Sequence, residues 1–160
     1  MNDIPDWLPK LIRIDQFVGD WKRYIEEVFS VFYRDFINSQ PRYAQRWVRC
    51  RRDPIMDGKE AGFWHCTSEG TDENNRIPDL RRCERIGWIR AIIENSIDKS
   101  VKIWECRKKS DHRIYLWFNE EFLVVLGDRK KHVQLITAFV TDRKHTIYKL
   151  RKEYARSKNS

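Results

Sequence analysis

The chain lacks most of what would announce a cofactor-dependent enzyme. It has no G-x-G-x-x-G or other phosphate-cradling glycine loop, no nucleophile elbow presenting a serine, and no H-E-x-x-H. Nucleotide-cofactor chemistry and serine hydrolysis are therefore unsupported. The four cysteines, Cys50, Cys66, Cys83 and Cys106, form no C-x-x-C pair, and only His65-Cys66 sets two soft donors side by side, which argues against structural zinc. Acidic residues are scattered singly among bases rather than gathered at strand ends, where magnesium would need them. Neither a basic lead followed by an apolar stretch nor a run of membrane-span length is present. The expectation is a reduced, cytoplasmic protein with no metal, cofactor or membrane.

What the chain does have is charge. Of 160 residues, 32 are Lys or Arg and 24 are Asp or Glu, a net charge of +8, while 41% are hydrophobic. That hydrophobic share suffices for one core, so residues 1–160 are expected to form a single domain. The charge is uneven: residues 1–40 hold five bases against seven acids, leaving 27 against 17 for the rest. A basic body behind a mildly acidic N-terminal segment points to a polyanion, most simply nucleic acid.

Periodicity supplies the elements. From Asp15 as N-cap, Phe17, Trp21, Tyr24, Ile25, Val28, Phe29, Phe32 and Phe36 recur at three- and four-residue steps, which predicts one long helix within residues 1–40. Arg42 to Arg52 alternates charge with rings and aliphatics as a strand does. It is either a phosphate- and base-touching strand, through Arg46, Trp47, Arg49 and Arg51, or a solvated edge kept from aggregating by its charges. A polar loop spans Glu69 to Pro78. Asp79 then opens a second helix whose stripe, Leu80, Cys83, Ile86, Ile89 and Ile93, is flanked by Arg81, Arg82, Arg85 and Arg90. Val101–Cys106, Arg113–Phe118, Glu121–Leu126 and His132–Thr141 are runs of strand length with short polar links, hence an antiparallel meander. Lys144–Arg156, including Lys149, forms a short basic helix. The fold class is α+β: a long N-terminal helix and an Arg-rich helix packed with a four- to five-stranded antiparallel sheet, residues 41–156 forming the functional core.

On the second of these runs, Arg113–Phe118, Ile114, Leu116 and Phe118 face one way and Arg113, Tyr115 and Trp117 the other, so the second face is where a cleft is expected. Metal-free RNA cleavage needs a base for the 2′-hydroxyl, an acid for the leaving oxygen, and cations beside the phosphorane. Histidine suits the proton steps because its ordinary pKa is about 6.5. Arginine suits the charge because it stays protonated and donates in a fork. His65, Arg82, Arg85, Arg113, Tyr115 and Thr137 carry every role. Each has a plainer alternative: a packed histidine, helix-surface arginines, a sheet-edge tyrosine, a strand-forming threonine. His112, His132 and His145 lie at turns or element ends and read as surface.

The order of elements, with Arg113-Ile-Tyr-Leu-Trp, Phe122-Leu-Val-Val-Leu and Leu135-Ile-Thr-Ala-Phe-Val-Thr, resembles the barnase/EndoU/colicin/RelE class of small endoribonucleases, especially its phage-associated branch. Thr137-Ala138-Phe139 matches that branch's third-strand Thr-Ala-aromatic triplet, with Phe139 where Tyr is common. His65, Arg82 and Arg113 fall at its upstream histidine and arginine positions. The resemblance implies a metal-independent RNase acting on RNA as a toxin or phage-defence effector, held in check by an inhibitor protein. The alternatives are a non-catalytic RNA- or DNA-binding module, and an interaction adaptor whose basic face meets an acidic protein.

Overall fold

The computed structural model describes residues 4–72 and 75–159. A 3-10 turn (Ile14–Phe17) precedes α1 (Trp21–Phe32), which runs into a π-turn at Tyr33–Ile37. The helix starts later than expected from Asp15. Val18 and Gly19 take left-handed backbone, φ 55° and 73°, which breaks the helical path, and Asp20 caps α1 by accepting from the Arg23 N–H. The aromatic stripe is the core face: Tyr24, Val28, Phe32 and Phe36 are fully buried.

Arg42 to Arg52 is not one strand. β1 (Arg42–Tyr43) turns over Ala44 and Gln45, both at positive φ, into β2 (Arg46–Cys50). The His65 segment is a helix, α2 (Ala61–Thr67), seated close against β2. A Cβ at Gly62 would lie 2.9 Å from Cys50 Cβ and 3.0 Å from the Arg51 carbonyl oxygen, so only glycine allows this approach. β3 (Ser68–Glu69) and β4 (Ile77–Pro78) pair at the base of the polar loop, whose residues 73 and 74 lie outside the described residues. Asp79 caps the Arg-rich helix as expected, but a break at Arg85 divides it into α3 (Leu80–Glu84) and α4 (Ile86–Glu94).

The meander is present as β5 (Val101–Lys108), β6 (Asp111–Phe118), β7 (Phe122–Asp128) and β8 (Val133–Val140), followed by α5 (Lys144–Lys158). The sheet is larger than expected and mixed. Its order is β1-β2-β8-β7-β6-β5, six strands, with β2 parallel to β8. Short links favour antiparallel neighbours, but β2 and β8 are joined by most of the chain, and a connection of that length permits a parallel pair. Among the described residues no helix is long and apolar enough to cross a membrane.

Register assigns the two faces. Ile114, Leu116 and Phe118, with Leu126, Val124 and Phe122 opposite them, join Val48, Leu135 and the buried faces of α1 and α4 in the main core. On the other face, Trp104, Trp117, Leu123 and Val125 pack with Leu150 of α5, and Ile147 and Tyr154 close over them. The second face is thus not the open cleft expected from the sequence: Trp117 is 0% exposed because α5 lies on it.

Glu120, in the β6–β7 turn, fastens α5 to the sheet. Arg151 donates to both of its carboxylate oxygens at 2.7 Å, and Lys102 donates from β5 at 3.1 Å. The hydrogen bonds from Arg151 hold the Glu120 carboxyl down at about 2, with Lys102 adding to the effect. A depressed carboxylate stabilises the fold above its unfolded pKa of about 4.3 and loses that contribution as pH falls toward the folded value. Acid titration should therefore erode α5 docking between about pH 4 and pH 2. Glu120→Gln should remove that part of the acid dependence and cost about 1 kcal/mol at neutral pH in urea unfolding.

Candidate functional site

β2 is shorter than β8. Its pairing covers only Val133–Leu135, so the edge of β8 beyond that point has no strand beside it, and α2 and α3 pack along it instead. A helix end needs donors for its last carbonyls. Here the Trp64 carbonyl is served locally by Ser68, and the His65 carbonyl draws on distant segments. Thr137 Oγ1 on β8 donates to the His65 carbonyl at 2.7 Å, and Arg82 Nη1 on α3 donates to the same oxygen at 3.4 Å and to the Ser68 carbonyl at 2.8 Å. Arg76 also donates to the Ser68 carbonyl, at 2.6 Å, so two guanidinium groups sit at the carboxyl end of α2, where its dipole favours cations.

Arg82 is the hub. Its side chain is 11% exposed, with Nε 3.2 Å from Asp79 Oδ2 though not aligned for a hydrogen bond, and Nη2 3.8 Å from Glu69 Oε2. Its guanidinium lies 5.6 Å from the Phe139 ring centroid. Beside it opens a polar cleft of about 470 Å³ between the start of α3, the end of β8 and the start of α5, with Arg81, Arg82, Arg143, Phe139, Asp142 and Thr146 in its walls. Arg81 donates to Asp142 at 2.6 Å, and this bond is the main reason that the Asp142 carboxyl titrates below the usual carboxylate range. Arg143 is the N-cap of α5 and supplies no side-chain cap, so the positive end of a 15-residue helix faces walls in which three arginines are balanced by the carboxylates of Glu69, Asp79 and Asp142.

Of the six expected catalytic residues, Arg82 and Thr137 are brought from distant segments onto the backbone carbonyl of His65, whose ring does not line the cleft. The other three lie elsewhere. Arg85 points away from the cleft: Nη1 donates to the Arg81 carbonyl, Nη2 lies 3.7 Å from Glu121, and the guanidinium covers Trp88 at 5.0 Å. Tyr115 is separated from Thr137 by β7, about 10 Å at ordinary strand spacing. It stacks on Trp104 with centroids 5.2 Å apart, and burial raises its hydroxyl pKa. Arg113 donates to Asp111 at 2.8 Å one row further along the sheet. The alternation of β6 was legible, but not that α5 would cover its middle.

Of the expected nucleic-acid contacts, Arg46 is engaged within the fold. It donates to Asp128 at 2.8 Å and to the Lys130 carbonyl at 3.1 Å at the end of the main core, its side chain 26% exposed. Trp47, Arg49, Arg51 and Lys149 are exposed, Arg51 donating to the Asp53 carbonyl. Arg81, Arg143, Glu69 and Thr146 were missed as site residues. A run of arginines gave a usable signal for Arg81, but nothing local placed the start of α5 beside α3.

A second polar group closes that same end of the main core. His112 Nε2 is 2.6 Å from Glu105, Nδ1 is 3.5 Å from Asp128, and Asp128 is held by Arg46. The two carboxylates address opposite ring nitrogens, and one ligand atom from each of Glu105, His112 and Asp128 lies within 4.8 Å of the others. All four thiols are free. Burial pushes Cys50 up to about 11 and Cys66 and Cys83 up to about 12, which makes these three poor nucleophiles at neutral pH.

Thr137→Val keeps shape and removes the donor to the His65 carbonyl. It should lower stability by about 1 kcal/mol in urea unfolding, with Thr137→Ser close to the parent; equal stability of the Val variant would show that the bond contributes nothing. No protein-family model, curated protein or solved structure matches this chain.

Proposed function

We propose that the protein is a metal-independent endoribonuclease that cleaves RNA in the cleft beside Arg82. The observation that carries this reading is the meeting of α2, α3 and β8 at the His65 carbonyl, which holds Arg82 at the wall of a cleft lined by two further arginines. In the reaction a base takes the 2′-hydroxyl proton, O2′ attacks phosphorus, and the 5′-oxygen leaves with a proton from an acid, giving a 2′,3′-cyclic phosphate. Arg81, Arg82 and Arg143 supply the cations that favour the charged phosphorane. His65 and Glu69, at the same end of α2, are the proton carriers this reading assigns, and Phe139 stacks a base. The toxin or phage-defence role and the inhibitor protein implied by the endoribonuclease resemblance belong to the same proposal.

A non-catalytic nucleic-acid-binding module is the second reading. What favours it is that the cleft acids are engaged with arginines, Asp142 with Arg81 and Asp79 with Arg82, and that the His65 ring is not among the groups lining the cleft.

Incubation with total RNA in EDTA separates the two. The nuclease reading predicts cyclic-phosphate ends, a loss of at least about 100-fold in rate for His65→Ala with unchanged melting, and a loss on the order of 100-fold for Arg82→Lys measured below that variant's lowered melting temperature. Intact RNA, or full cleavage by a folded His65→Ala variant, would overturn it.

A further inference from the structure

α5 crosses the second face of the sheet diagonally, from Phe139 at the end of β8 to Cys106 at the end of β5, where Glu153 and Arg156 flank it. A diagonal cover leaves a corner bare. The row of register partners in that corner is Arg49 on β2, Gln134 on β8, Gly127 on β7 and Arg113 on β6, all on one face because paired residues share a face. Trp47, two residues before Arg49, and its partner Arg42 extend the same face to the sheet edge.

The side chains there are cations and one ring. Trp47 is 45% exposed, with the Arg42 guanidinium 4.1 Å from its ring centroid. Arg129 donates to Gln134 at 3.2 Å and lies flat over Gly127: a Cβ on that glycine would meet Arg129 Nη1 at 2.8 Å. Gly127 is thus the saddle that lets a guanidinium rest on the sheet. Among the described residues no carboxylate pairs with Arg42, Arg49 or Arg129, and Arg113 alone in this corner has one, Asp111. The cations act on a neighbour as well: besides burial, the charges of Arg49 and Arg129 lower the pKa of His132 at the foot of β8.

We infer that this corner, from Trp47 and Arg42 through Arg49 and Arg129 to Arg113, is a track for single-stranded RNA that leads along β8 into the cleft; the destination rests on the nuclease reading, the track does not. From Arg49 to Arg113 is three strand steps, about 14 Å, and from Gln134 to Phe139 is about 17 Å along β8, a span of a few nucleotides. A polyanion fits because three guanidinium groups stand without counter-charges on a flat surface, and a strand with unstacked bases fits because the exposed ring beside them is a stacking platform. An acidic protein would need an apolar centre to its interface. Between these cations lie only Gln134, Gly127 and the half-buried Ile136.

The test is fluorescence anisotropy with a short single-stranded RNA whose 2′-hydroxyls are methylated, so that binding is read without cleavage. Arg49→Ala with Arg129→Ala should weaken binding roughly tenfold at physiological salt and reduce the slope of log affinity against log salt by about 1.4, at 0.7 per lost contact. Trp47→Ala should weaken it by about fivefold or more. Unchanged affinity and slope in the folded double variant would overturn the track. So would polyglutamate competing as well as RNA at equal charge, with Trp47→Ala silent, since that is the behaviour of an acidic-protein surface. If the parent binds the methylated strand, loses it in the double variant, and yet cleaves no unmodified RNA, the track stands and the nuclease reading falls.

Discussion

The organising constraint is the unpaired edge of β8. β2 pairs with it over Val133–Leu135 and then ends, leaving backbone groups and a row of side chains that something must cover. α2 covers them, and does so with its carboxyl end, whose own carbonyls need donors. Thr137 and Arg82 supply the donors for the second need at one oxygen, the His65 carbonyl. Because Arg82 is tied by this duty, α3 is held against β8, Asp79 stays at its cap, and the gap between α3 and the start of α5 becomes a cleft with fixed cations.

The sheet serves two cores of unequal size. One face is filled by α1 and α4 over Ile114, Leu116, Val124 and Leu126. The other receives α5, fastened by Glu120 and seated on Trp104 and Trp117, with the end of α2 and Arg82 of α3 meeting it at Thr137 and Phe139. A single helix laid obliquely cannot cover six strands. Its start shapes the cleft beside Phe139, and its course leaves the Arg49–Arg113 corner open, so one packing decision produces both of the surfaces argued to meet RNA.

Much of this was legible in the sequence. The meander, the α1 stripe, the Asp79 cap and the basic last helix follow from local periodicity and capping, which act within a few residues. The start of α1 was missed because Val18 takes a left-handed conformation that a β-branched residue rarely adopts. The hairpin at Ala44-Gln45 was missed because neither residue is the Gly or Asn that such turns favour. At the site, Arg82 and Thr137 meet at the backbone carbonyl of His65, not at its ring. Arg113 and Tyr115 were chosen from strand alternation alone, and alternation cannot say which helix covers a face. The exposure of Arg49 and the engagement of Arg46 differ for the same reason: they stand on opposite faces of β2, and only the register with β8 says which face is which.

The central claim is that phosphate meets the protein at the gap between α3 and α5. Backbone amide shifts during titration with the methylated RNA strand test it most directly. The account predicts the largest changes at Arg82, Phe139 and Thr146, with a second group at Arg49, Gln134 and Arg129. Changes confined to the opposite side, around Trp7, Arg34 and Arg90, with the α3–α5 gap silent, would contradict it.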